Sequence, residues 1–189
     1  MSLMPAHAQR AYSLEEYFGI EEMSSIRHEY LGGEIYAMAG GSRNHNQIAQ
    51  NVTRAFDGVR VRGCRAYLAD VRLRTPGGLY TYPDVMVICG PAALSPDRLE
   101  TVTNPVVIAE VLSNSTREYD SGQKYELYRA IPSMRDSLLV DQYAVKVEHR
   151  FVEGREWQSR TYRVRDDVVS LTGVPVTLSL EAVYDLVDF

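Results

Sequence analysis

The sequence is short of the features that mark membrane-spanning, secreted or zinc-binding chains. No apolar stretch approaches the ~20 residues needed to cross a bilayer, and the first residues have neither the apolar core nor the positive flank of a secretory signal. A cytoplasmic chain with no membrane partner is therefore expected. Only two cysteines are present, Cys64 and Cys89. They are too few and too far apart for a zinc motif, and a reducing interior is expected to keep them as thiols packed as small core residues. Repeats and low-complexity tracts are absent. So are a phosphate-gripping loop and a paired catalytic histidine, which leaves a sugar- or nucleotide-processing enzyme without support. Basic charge is also scarce, with 20 Lys and Arg against 25 Asp and Glu, a formal net charge of −5 and a pI near 5.4. The molecule as a whole does not attract polyanions, so any contact with nucleic acid has to be local.

What is present fits one domain over residues 1–189: 45% of the residues are hydrophobic, enough for a core of mixed structure. Ser13-Leu14-Glu15-Glu16 has capping-box spacing and predicts a helix to about Met23. His28 to Tyr36 reads as two strands about a Gly32-Gly33 turn, closing an N-terminal unit of helix and hairpin over residues 13–38. From Asn44, the positions Ile48, Val52, Ala55, Phe56 and Val59 form one stripe of an amphipathic helix. Strands are expected at Ala66 to Leu68, Val71 to Arg74 and Tyr80 to Cys89, with Pro76-Gly77-Gly78 as a turn. Gly90 to Pro105, with three prolines and no period, should be a surface excursion that borders the site. After a buried strand from Val106, the residues Lys124, Leu127, Tyr128 and Ile131 repeat as a helix does, ending before Pro132. Ser137 to Gln142 and the alternating Val145 to Phe151 read as strands, and Leu178 to Val187 as a closing helix. The core spans about residues 44–141, with C-terminal strands and a helix over 145–187, an α+β or mixed α/β arrangement.

Glu110 stands out because it interrupts Val106-Val107-Ile108-Ala109-Glu110-Val111-Leu112, a run that otherwise reads as a strand buried on both faces. A carboxylate there is costly unless a cation, a charged partner or a proton compensates it. Asp84 sits at the mouth of the neighbouring strand, and Lys124 follows on a helix. Two carboxylates on adjacent strands can hold one oxygen-preferring divalent cation, Mg²⁺ or Mn²⁺, and a nearby ammonium can steady an attacking hydroxide. In the alternative, Asp84 ends a strand, Glu110 pairs with an arginine such as Arg117, and Lys124 is solvated. The basic stretch Arg54, Arg60, Arg62, Arg65, Arg72 and Arg74, against Asp57 and Asp70 alone, either contacts phosphates or forms the solvated faces of a helix and two strands.

Pro83-Asp84-Val85, then Glu110-Val111-Leu112-Ser113, then Ser115-Thr116-Arg117-Glu118-Tyr119-Asp120 and Lys124-Tyr125-Glu126-Leu127-Tyr128 together resemble the PD-(D/E)XK nuclease superfamily. Within it they are similar to a restriction-endonuclease-like family of putative restriction endonucleases. The resemblance runs from about Ser13 to Asp141. It implies a restriction-endonuclease-like core in which a central mixed sheet is flanked by helices, with extra antiparallel strands at the C-terminal end. It also implies a Mg²⁺-dependent endonuclease acting on DNA, with Asp84, Glu110 and the carbonyl of Val111 as metal ligands and Asp84, Glu110 and Lys124 as the catalytic set. Leu112 stands where the superfamily has its lysine, so Lys124 is expected to reach the same point from the next helix. Glu34, His45, Asp70 and Tyr128 are the candidate accessory residues; for His45 helix capping or a surface imidazole is the competing role, and for Tyr128 packing. A homodimer would place two cuts about a twofold axis. The second reading, from another class, is a catalytically inactive nuclease fold that serves as a nucleic-acid- or protein-binding module.

Overall fold

The computed structural model describes residues 10–38, 40–57, 63–98 and 100–189, so the expectations at Val59, Arg60 and Arg62 lie outside the described residues. Helix α1 (Leu14–Met23) opens on the expected capping box: Ser13 Oγ accepts the Glu16 amide at 3.2 Å, and Glu16 Oε2 accepts the Ser13 amide at 2.8 Å. Strands β1 (His28–Leu31) and β2 (Glu34–Ala37) form the hairpin. Its turn needs positive φ at both central positions, met by Gly32 (+60°) and Gly33 (+94°). In α2 (Arg43–Ala55), Ser42 Oγ caps the His45 amide at 3.1 Å, and Ile48 and Val52, with Phe56 just beyond, are buried.

Strands β3 (Cys64–Leu68), β4 (Arg72–Arg74), β5 (Tyr80–Thr81), β6 (Val85–Cys89), β7 (Thr101–Val102), β8 (Val107–Leu112), β9 (Asp136–Asp141), β10 (Val147–Glu153) and β11 (Glu156–Tyr162) build two sheets. The six-stranded sheet has the order β11-β10-β9-β8-β6-β3 and the five-stranded sheet β2-β1-β5-β4-β7. The only parallel pairs are β8 with β9 and β4 with β7 among the described residues, so both sheets are mixed. The crossover from β8 to β9 carries α3 (Arg117–Tyr119), a π-helical turn (Asp120–Lys124) and α4 (Tyr125–Arg129). A small pair, β12 (Val168–Ser170) and β13 (Thr177–Ser179), and α5 (Leu180–Val183) end the chain.

Both faces of the six-stranded sheet are covered, which explains its unbroken apolar runs. On one face Val85, Val87, Val107, Ala109, Leu138 and Val140 pack with α2 and the C-terminal segment. On the other, Met86, Ile88 and Ile108 meet Tyr128, Ile131 and Met134. Each such side chain contributes about 1.5–3 kcal/mol. Asp136, fully buried beside this packing, accepts from the amides of Gly173 (2.6 Å) and Thr172 (2.9 Å) and faces His149 Nε2 at 2.8 Å.

Four expectations need correction. Tyr80 to Cys89 is two strands in different sheets, because Pro83 has no amide for a ladder and the Asp84 amide turns to Glu110 Oε2 at 3.3 Å. Gly90 to Pro105 contains β7, which pairs with β4; none of its described residues lines the site cavity, so they do not border the site. The closing helix is a single turn, since Thr177–Ser179 pairs as a strand. Cys64 and Cys89 are not free thiols: the register of β3 against β6 sets them opposite each other, and they form a disulfide. Among the described residues no helix is long and apolar enough to cross a membrane.

Candidate active site

The site forms where β6 and β8 run side by side, with Val85 opposite Ala109. Asp84 therefore stands level with Glu110 and Val111. Its Oδ2 accepts the Val111 amide at 2.8 Å, while its own amide points to Glu110 Oε2 at 3.3 Å. An extended residue directs its N–H and C=O to the same edge, so the Val111 carbonyl also faces Asp84. Strand alternation puts Glu110 on the face of Ile108 and Leu112, toward the crossover helices, whereas Ala109 and Val111 face α2.

The crossover delivers the cation that β8 lacks. The widened turn Asp120–Lys124 carries Lys124 Nζ to 2.9 Å from Glu29 Oε1, 3.0 Å from Glu110 Oε1 and 3.4 Å from Asp120 Oδ1. Such π turns are rare and recur at functional sites. One turn on, the Tyr128 hydroxyl donates to Glu110 Oε1 at 2.6 Å. The structure thus brings Asp84, Glu110 and Lys124 together from three separate stretches of chain. Leu112, 5% exposed, is buried on the same face two residues past Glu110.

Charge in this hollow is unbalanced. Glu29, Glu110 and Asp120 are each buried around one ammonium, and Asp84 adds a fourth carboxylate. Burial, opposed by Lys124 and reinforced by Asp84 and Asp120, leaves the Glu110 carboxyl pushed up to about 8. Burial alone would lower Lys124, but Glu110, Tyr128, Glu29 and Asp120 outweigh it and hold the ammonium well above its ordinary value. His45 Nε2 lies 3.1 Å from Asp84 Oδ2. Burial opposes its charge, yet the hydrogen bond to Asp84 and the nearby acids raise its pKa. Gly41 gives the imidazole its place, since a Cβ there would meet Nδ1 at 2.6 Å.

A cavity of about 1070 Å³ opens over these groups. Of the expected accessory residues, Glu34 and His45 line it and Tyr128 supports it from beneath. Asp70 does not belong to it: its carboxylate is exposed and faces Arg27 at 3.3 Å. The arginines are not gathered there either. Arg72 is held by Thr101 (2.9 Å) and Tyr82 (3.2 Å) and lies over Phe18; Arg74 pairs with Asp97 at 3.1 Å; Arg54 bonds Asn51 at 3.1 Å; Arg65 is exposed on β3. Helix and sheet twist send residues adjacent in sequence to different surfaces, so the described members form no common stripe along the cavity. Two site residues escaped the sequence reading. Asp120 carried a signal, its i,i+4 spacing to Lys124. Glu29 carried none, because only the docking of the hairpin brings it to the lysine.

Residues 14–182 match the Uma2 family, described as putative restriction endonuclease. Two proteins of Synechocystis sp. are similar along most of their length. The uncharacterized protein sll1609 is 36% identical over 158 residues, covering 82% of this chain and 89% of that protein. The uncharacterized protein slr1290 is 35% identical over 191 residues, 96% and 97% respectively. In fold, the crystal structure of a putative nuclease belonging to DUF820 from Anabaena variabilis matches with a TM-score of 0.74 at 16% identity, over 91% of this chain and 97% of that one.

Proposed function

The chain belongs to the Uma2 family of putative restriction endonucleases, and from that premise we propose that it is a Mg²⁺- or Mn²⁺-dependent endonuclease hydrolysing DNA phosphodiester bonds. The observation that carries the reading is Lys124 Nζ at 3.0 Å from Glu110, with Asp84 joined to the same strand through Val111. The donor set suits a hard cation. Asp84 Oδ1 has no hydrogen-bond partner among the described residues, Glu110 Oε2 has only the long contact to the Asp84 amide, and three acids surround a single lysine, with Asp84 beside Glu110. Among the described residues no three His, Cys, Asp or Glu side chains make a ready metal site. The ligands would be Asp84, Glu110 and the Val111 carbonyl, with water completing the shell.

Bound there, the ion supplies a lowered water pKa and neutralisation of charge on the phosphoryl group. The chain's own groups do the rest. The Val111 amide and His45 orient Asp84; Tyr128 fixes one oxygen of Glu110, leaving the other turned to Asp84. Lys124 places positive charge beside the attacking oxygen, as a preorganised ammonium in a water-poor hollow does most effectively.

The test is a plasmid nicking and cleavage assay with Mg²⁺, with and without chelator. Asp84→Ala, checked for native circular dichroism, should reduce cutting to background. Cutting at the native rate by this variant removes the assignment. DNA binding indifferent to metal, with no cleavage by the native chain, favours the binding-module reading instead.

A further inference from the structure

We propose that the DNA strand enters the cavity unpaired, with bases stacked on Tyr36 and Tyr143 at its mouth; this rests on the nuclease reading above and specifies its substrate as single-stranded. The hairpin register pairs Glu29 with Tyr36 and Leu31 with Glu34, so all four side chains share one face, and that face is a wall of the cavity. Tyr143, in the connection after β9, lines the same cavity. Both residues are 51% exposed, which leaves aromatic surface open next to the acids.

The charge of the walls points the same way. Among the described residues, Lys124 and His45 are the only basic side chains lining the cavity, and both are turned to carboxylates. Duplex binding depends on rows of Lys and Arg that neutralise phosphates on both strands. Among the described residues no such row lines the cavity, and Glu34 and Asp120 add negative charge to its lining. A single strand presents fewer phosphates per length than a duplex and adds the stacking of its open base faces on aromatic side chains, which a duplex keeps hidden. The remaining polar lining includes exposed Ser115, Thr116 and Gln123, neutral donors and acceptors of the kind that meet the edges of unstacked bases. Depth agrees as well. Glu110 is 4% exposed and the Asp84 side chain 15%, so the reacting phosphate has to descend to a recessed floor, which a flexible strand does more readily than a base-paired one.

The experiment compares one 20-nucleotide DNA sequence as a single strand and as a blunt duplex, with a 2-aminopurine base reporting stacking by fluorescence quenching. The native chain with Mg²⁺ should cut the single strand at least tenfold faster and quench the probe. Tyr36→Leu with Tyr143→Leu should abolish quenching and raise KM by more than the roughly 5- to 150-fold that loss of either stacked base alone would give, with kcat little changed. Tyr36→Phe with Tyr143→Phe should behave as the native chain, because the ring faces remain. Duplex cut as fast as single strand, or quenching that survives both leucines, overturns the proposal. Quenching without cleavage of either DNA sinks the hydrolytic reading alone, whereas cleavage without stacking sinks only this one.

Discussion

Replacing Lys124 by Met tests whether the buried ammonium holds the site together. Nζ faces three carboxylates at 2.9, 3.0 and 3.4 Å, and all four residues are nearly inaccessible to water. With an effective dielectric of about 20, opposite unit charges about 3 Å apart attract by about 5–6 kcal/mol. Desolvation offsets several kcal/mol of this for each ion. Methionine keeps the length and apolar volume of the side chain but leaves Glu29 and Asp120 without a counter-charge and Glu110 without the cation that holds its pKa down. Removing one partner of a buried ionic group costs about 3–5 kcal/mol, so urea denaturation at pH 7 without divalent cation should show a loss of that size. The melting temperature should fall by roughly 6–20 °C, from about 2–4 °C per kcal/mol for a chain this long. The loss should grow with pH. Without the lysine, Glu110 loses the charge that lowers its pKa and binds its proton more tightly folded than unfolded, so raising the pH costs the folded state. A Lys124→Met chain within about 1 kcal/mol of native stability at pH 7 would refute the reasoning, as would a loss that shrinks as pH rises.

Two further outcomes are expected. Glu110, raised to about 8 mainly by burial, keeps its proton in the folded state at a pH where the unfolded chain, with an ordinary value of 4.5, has released it. The folded state then binds more protons, so metal-free stability should fall between pH 4.5 and 8, by at most about 1.4 kcal/mol per pH unit from this group. Urea titrations of Glu110→Gln should be flatter over that window, and a slope equal to the native one rejects the assignment. Asp136→Ala removes the acceptor for the Gly173 and Thr172 amides and the partner of His149. It should cost about 3–5 kcal/mol, and a change below about 1 kcal/mol in chemical denaturation would show that these contacts contribute little.

Local signals were legible wherever one segment carries its own geometry. The Ser13–Glu16 box, the Gly32-Gly33 turn and the stripe on α2 appear in the structure where their spacing puts them, because caps, turns and helix faces depend on residues a few positions apart. The run Tyr80 to Cys89 misled, since its apolar content is the same whether it is one strand or two. What divides it is Pro83 together with the Glu110 carboxylate, which takes the Asp84 amide from 26 residues away. The described arginines lie apart for a related reason: a cluster in sequence becomes a cluster in space only when one element carries all of it.

Sequence alone determined which groups need a partner. A carboxylate within an otherwise apolar strand has to be compensated, and this singled out Glu110, with Asp84 and Lys124 as its companions, without any coordinates. Tertiary structure decided who those partners are and how the charge is shared. The widened turn before α4 delivers Lys124, the hairpin contributes Glu29, and the cavity between them is walled by tyrosines while the arginines lie elsewhere. The physical reason is distance. Hydrophobic pattern and capping act over one or two turns of chain, whereas ion pairing in a buried hollow is set by packing between segments dozens of residues apart, and no periodicity records it.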